Sequence, residues 1–89
     1  MEKLIYTTYQ EAFRATLVQL RRKAGLTQRQ LARKLGRVPS VIAHIEKGQR
    51  RVDTLELYRI CTACGASPEK VAGELMKTYA RLDKSKGKS

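Results

Sequence analysis

Two kinds of chemistry are open to the polar residues of this chain: capture of phosphates by a run of bases, and metal or thiol chemistry at a pair of cysteines. The bases are the stronger signal. Between Arg14 and Arg51 stand eleven Lys or Arg and a single acid, Glu46, a net charge of +10. Residues 1–13 carry −1 and residues 52–89 carry +2, so nearly all of the chain's net +11 lies in one stretch. A surface charged only for solubility mixes signs along its length. A concentrated positive field attracts a polyanion, and nucleic acid fits it better than an acidic protein or a membrane surface.

The cysteines, Cys61 and Cys64 in RICTAC, have the spacing of a zinc or redox motif. Zinc needs about four ligands, and the chain has neither a second cysteine pair nor a histidine beside this one, since His44, its only histidine, falls on another helix. Leu57, Ile60, Cys61 and Cys64 recur at i, i+3, i+4 and i+7, which turns both thiols into a helix core as small apolar groups. No metal and no cofactor is expected. Catalysis is not expected either: there is no Ser-His-Asp set of interpretable spacing, no phosphate-cradling glycine loop and no carboxylate pair in a cleft.

The elements that position these bases are helical throughout. The 89 residues suffice for one small domain with a thin core. Thr8 and Glu11 have capping-box spacing, and Phe13, Leu17, Leu20 and Ala24 form the apolar stripe of a first helix that Gly25 ends. Thr27 and Gln30 repeat the box for a second helix, with Leu31, Ala32 and Leu35 inward and Gly36 at its end. A third helix runs from Pro39 to Lys47, with Ile42 and Ile45 inward and Val38 a poor cap. Asp53 and Glu56 box the fourth helix, which stops at Gly65, and Ser67 and Pro68 open the fifth. Its stripe is Val71, Leu75, Tyr79 and Leu82. The domain is expected over residues 1–83, with residues 84–89 a basic disordered tail. No window approaches about 18 consecutive apolar residues, and the N-terminal stretch lacks a signal-peptide core, so a cytoplasmic location is expected.

The run LRRKAGLTQRQLARKLGRVPSVIAHIEKGQRRVDTLEL resembles the helix-turn-helix domains of the Cro and phage-repressor-like (XRE-type) family. The resemblance spans about residues 9–82 and rests on Arg21, Gly25, Leu26, Thr27, Gln28, Leu31, Ala32, Gly36, Ile42, Ile45, Glu46 and Gly48. It implies an all-α, compact five-helix bundle of the lambda-repressor-like class, with the third helix in the major groove of DNA. It further implies a sequence-specific transcriptional regulator, most simply a repressor, of bacterial nucleoid or phage origin.

By residue, the resemblance implies that Gln28, at the positive end of the second helix, contacts a phosphate or buttresses the third helix. Arg21 and Glu46 would form a salt bridge joining the first and third helices. Arg37, Lys47, Arg50 and Arg51 would flank the third helix and meet phosphates on either side, with Arg29 and Arg33 extending the stripe. Pro39, Ser40, Val41, Ala43, His44 and Lys47 would form its outer side. The family usually has a polar base reader where this chain has Pro39, so the expected readout is thin: methyl contacts, His44 and DNA shape. A homodimer through the fifth helix, at Leu75, Tyr79 and Leu82, follows from the resemblance and the small size. The competing expectation is a protein-interaction module, such as an antitoxin or adaptor, with secondary DNA binding. Nonspecific nucleic-acid binding is a third, weakened because no tyrosine falls on the second or third helix to stack on bases.

Overall fold

Each helix ends where the chain supplies a stop. The computed structural model describes residues 2–87, with side chains for residues 8–85. Its elements are α1 (Glu2–Lys23), α2 (Gln28–Leu35), α3 (Pro39–Glu46), α4 (Thr54–Ala63) and α5 (Pro68–Gly87), with no strand among the described residues. Thr27 caps α2 through a complete box: its hydroxyl accepts the Gln30 N–H at 3.1 Å, and Gln30 Oε1 accepts the Thr27 N–H at 2.8 Å. Gly36 follows at φ 69°, a left-handed turn that a side chain would strain. The turn from α2 into α3 therefore needs glycine there. Val38 caps α3 with no side-chain bond, and Pro39 takes the first turn. Asp53 Oδ1 accepts the Glu56 N–H at 2.8 Å to start α4, and Ser67 Oγ accepts the Lys70 N–H at 3.3 Å to start α5.

The apolar stripes meet in one core. Leu17, Leu31, Ala32, Ile42, Ile45 and Ile60 are buried together, with Phe13, Leu20, Leu26, Leu35 and Leu57 half-buried around them. α2 packs on α3 and α4, α1 packs on α3 and α5, and α4 packs on α5. Cys61 is fully buried and Cys64 packs against the same core. Burial pushes both thiols above their ordinary pKa, so they serve as small apolar groups.

Three features depart from the sequence pattern. α1 begins at Glu2 and passes through Thr8, so Thr8 and Glu11 do not mark its start. Residues 2–8 contain no glycine or proline to stop a helix, and threonine inside one costs only a fraction of a kcal/mol. α5 continues past Asp83 to Gly87, so the basic tail is helical as far as it is described; residues 88 and 89 lie outside the described residues. Lysines suit the negative end of a helix. The Tyr9 hydroxyl donates to the Asp83 carboxylate, and the Tyr9 and Tyr79 rings pack edge to face at 5.8 Å, so this end of α5 is tied to α1. Finally, Glu56 does not complete a capping box; its carboxylate pairs with Arg37 instead.

So small a core has little to spare. Ile42→Ala is expected to lower stability by about 2–5 kcal/mol, read as a fall in the urea midpoint. A change within about 0.5 kcal/mol, the ordinary surface value, would remove Ile42 from the core.

Candidate nucleic-acid interface

One short helix, and how it is held, decides what the basic segment can present to a partner. α3 has eight residues, about 12 Å at the α-helical rise, close to the width of a DNA major groove. Ile42 and Ile45 anchor its inner side. Ser40, His44 and Lys47 follow each other at steps of four and three, and all three are exposed, as is Pro39. Ala43 is half-buried at the edge of this stripe. Val41, expected on the outer side, is half-buried and packed against the core. At period 3.6 it sits about 100° around the helix from Ser40, which turns it toward its neighbours.

One carboxylate sets the orientation of α3. Glu46 Oε2 accepts from Arg21 Nε at 2.7 Å, and its Oε1 accepts from Arg21 Nη2 at 3.1 Å and from Gln28 Nε2 at 2.8 Å. Arg21 Nη1 also donates to the Leu26 carbonyl at 2.9 Å, in the turn between α1 and α2. The side chains of Arg21 and Glu46 keep only 12% and 10% exposure. A two-pronged, nearly dry contact of this kind fixes direction as well as distance. Of the two roles open to Gln28, its amide performs the buttressing one: it donates to Glu46 and ties the start of α2 to the end of α3.

The flanking bases divide into two groups. Arg37, before α3, is bound to α4 through Glu56 at 3.1 Å, so its charge is partly answered within the protein. Lys47, Arg50 and Arg51, beyond the other end, are exposed, as are Arg29 and Arg33 on α2.

Two residues at this surface are not legible from the sequence pattern alone. Arg14 Nη1 donates to the Lys47 carbonyl at 2.9 Å, capping the C-terminal end of α3 from α1. Gly48 makes the approach possible: it has φ 79°, and an added Cβ would collide with Arg14 Nη1. Arg14 lies seven residues before Arg21, two turns up the same face of α1, and that spacing is the available signal. Val38 is 61% exposed in the turn before α3, leaving an apolar tip beside Pro39. A valine at a cap position, where its side chain can bond nothing, is the corresponding hint.

Residues 12–73 match the family described as helix-turn-helix domain. No curated protein matches the chain significantly. Among solved structures, an XRE-family like protein from Pseudomonas syringae pv. tomato is similar with a TM-score of 0.79 and 31% identity, over 86% of this chain and 94% of that one. The clp gene regulator ClgR from Corynebacterium glutamicum is similar in two structures. Their TM-scores are 0.67 and 0.64 and their identities 31% and 30%, over 79% and 88% of this chain and 91% and 87% of those. Five helices with a tight turn between the second and third define a helix-turn-helix protein. The chain belongs to the XRE-type family of that class, a family of DNA-binding transcriptional regulators.

The carboxylate that joins α1, α2 and α3 can be removed. Glu46→Ala is expected to cost about 3 kcal/mol, the lower end for breaking a buried pair, while Glu46→Gln, which still accepts from Arg21, costs less. Equal unfolding midpoints for wild type and Glu46→Ala would show that apolar packing alone holds α3.

Proposed function

We propose that this protein is a sequence-specific regulator of transcription that inserts α3 into the major groove of double-stranded DNA, most simply as a repressor that occupies promoter DNA. The observation that carries this is the exposed stripe of Ser40, His44 and Lys47 on a helix clamped at Glu46. Lys47, Arg50 and Arg51 supply the phosphate contacts at one end, with Arg29 and Arg33 beside them. Arg37 contributes less, because Glu56 already holds it. Gln28 meets phosphate through its main-chain N–H, which as a first-turn donor has no partner within the helix. Base contacts come from Ser40 and His44, with apolar contact from Pro39, Val38 and the edge of Ala43. Val41 is withdrawn from that set. The protein acts in the cytoplasm, where such a duplex is found, and needs no cofactor and performs no catalysis.

The active form is a homodimer on a twofold-related operator. Leu75 is only 3% exposed and belongs to its own subunit's core, so it leaves the dimer face. Tyr79 and Leu82 are half-buried and remain on it. Exposed Leu55 and Tyr58 on α4 favour a second possibility, a surface for another protein, as in an antitoxin or adaptor.

Selection of bound duplexes from a random library at physiological salt tests these together. An enriched palindrome with half-sites about one helical turn apart is expected. A lone half-site would refute the dimer, and no enrichment would favour the protein-interaction role. On the selected duplex, Arg50→Ala with Arg51→Ala is expected to flatten the log affinity–log salt slope by about 1 for each phosphate no longer neutralised. An unchanged slope would exclude both arginines from the phosphate-binding set. His44→Ala is expected to change the preferred sequence more than the affinity; the same preferred site would refute a reading role.

A further inference from the structure

A groove of about 700 Å³ opens between α1, α4, α5 and the loop that follows α3. Its size falls within the range of small-ligand sites, roughly 300–1,000 Å³. Leu17, Ile45 and Leu75, all buried, belong to its lining, which is mostly apolar and includes Phe13, Leu57 and Tyr79. Met76 also lines it and is 59% exposed, a large flexible thioether left in water at the edge. Methionine adapts its shape to whatever packs on it. Three arginines, Arg14, Arg50 and Arg51, line the same groove. The single acid in the lining is Asp53, so three arginines against one carboxylate leave the groove a net positive charge. Arg14 Nε is buried with no hydrogen-bond partner among the described residues, so this guanidinium is incompletely satisfied.

Apolar walls with a cationic side select the occupant. DNA has the charge but nothing to place on Phe13 or Met76. A second copy of this chain, joined at Tyr79 and Leu82 as proposed above, would cover the Tyr79 end of the groove but has 19 bases against 8 acids and offers the arginines little negative charge. We infer that the groove binds a small anionic amphiphile, a carboxylate whose apolar body lies on Phe13, Leu57 and Met76 and whose head pairs with Arg14, Arg50 and Arg51. Binding there competes with DNA. Arg50 and Arg51 cannot serve a ligand carboxylate and a phosphate at once, and Arg14 is the residue that holds the end of α3 at the Lys47 carbonyl. The competition rests on the regulator function proposed above; binding in the absence of DNA does not.

Decanoate, kept below its micelle concentration, is the probe, with decan-1-ol and decyltrimethylammonium as neutral and cationic controls. Titrated into the DNA-free full chain and followed by amide and methyl NMR shifts, decanoate is expected to saturate one site at the groove. Decanol should bind at least tenfold more weakly and the cation not at all. Equal binding of decanoate and decanol would overturn the head-group assignment, and shifts spread over surface lysines without saturation would overturn the site. Ala72→Phe, which fills the groove from α5, is expected to abolish binding. Met76→Glu, at an exposed position that does not depend on packing, is expected to weaken it tenfold and keeps the test valid if the larger side chain prevents folding. Undiminished binding by a folded variant refutes the site. A polyglutamate peptide that saturates the groove where decanoate fails would reassign it to a protein partner. With the selected duplex present, saturating decanoate is expected to weaken DNA binding roughly tenfold, within the usual span of coupling. Decanoate binding without that effect refutes the competition alone, and failure to select any duplex bears on the regulator function alone.

Discussion

The Glu46 carboxylate is the contact on which the rest of the molecule's surface depends. It is the one acid within a segment of eleven bases, and it is reached by donors from two other helices, Arg21 on α1 and Gln28 on α2. Apolar burial is non-directional. Ile42 and Ile45 can keep α3 against the core but cannot by themselves fix how far it is rolled. A carboxylate held at both oxygens can, because fork geometry specifies angle as well as distance. The energetic case is different from the geometric one. Drying both charges offsets much of their attraction, so the pair contributes orientation more than net stability. That division of labour suits a helix whose outer side chains must meet a partner in register.

The same segment carries a field that the fold does not neutralise. Glu46 and Glu56 answer two of its bases with short ion pairs, at Arg21 and Arg37. The remaining excess raises the self-repulsion of a small domain with a thin core. A polyanion relieves that repulsion, which links tolerance of the excess charge to function. Arg14 shows the tension locally: it is drawn into the protein to cap α3, yet one of its nitrogens finds no partner there among the described residues. The chain's path at Gly48 requires a glycine on two counts, a left-handed φ of 79° and the arginine pressed against it.

What the sequence makes legible is what is decided locally. Thr27, Gln30 and Gly36 specify the limits of α2 through bonds a few residues long, and the structure forms them as expected. Asp53 does the same for the start of α4. Stripes at helical period identify the core because burial needs only a side facing inward, and Leu17, Leu31, Ile42 and Ile60 are all there. The family resemblance supplies the Arg21–Glu46 pair, which no local rule contains. Pattern and structure part where a distant residue competes. Spacing assigns Glu56 to its own helix end, but Arg37 offers a full charge across the turn. The count along α3 puts Val41 outward, and the dimer expectation puts Leu75 outward, because neither can tell which neighbours arrive from other helices. Thr8 has a cap's chemistry without the stop in front of it that would make it one, and α1 runs through.

The composition of α3 then decides what kind of DNA recognition the fold can support. A base pair read by two hydrogen bonds from one side chain yields about 1–3 kcal/mol of discrimination. The exposed positions of this helix hold no arginine, asparagine or glutamine able to make such a pair; they hold Pro39, Ser40, His44 and Lys47, behind the apolar tip of Val38. In the proposed complex the Ser40 hydroxyl, donor and acceptor at once, could bond to several base edges and would select weakly among them, while proline and valine could tell thymine only by its methyl group. The phosphate contacts proposed for Lys47, Arg50 and Arg51 would carry no sequence information of their own. Such contacts can still convert duplex shape into energy, because charges fixed in space gain most from a backbone whose spacing matches theirs. Rigidity of α3 therefore matters more here than in a helix rich in amides: with few direct base bonds on offer, selectivity would fall to the fit between the protein's surface and the deformability of the duplex, and α3 is only as fixed as the carboxylate that holds it.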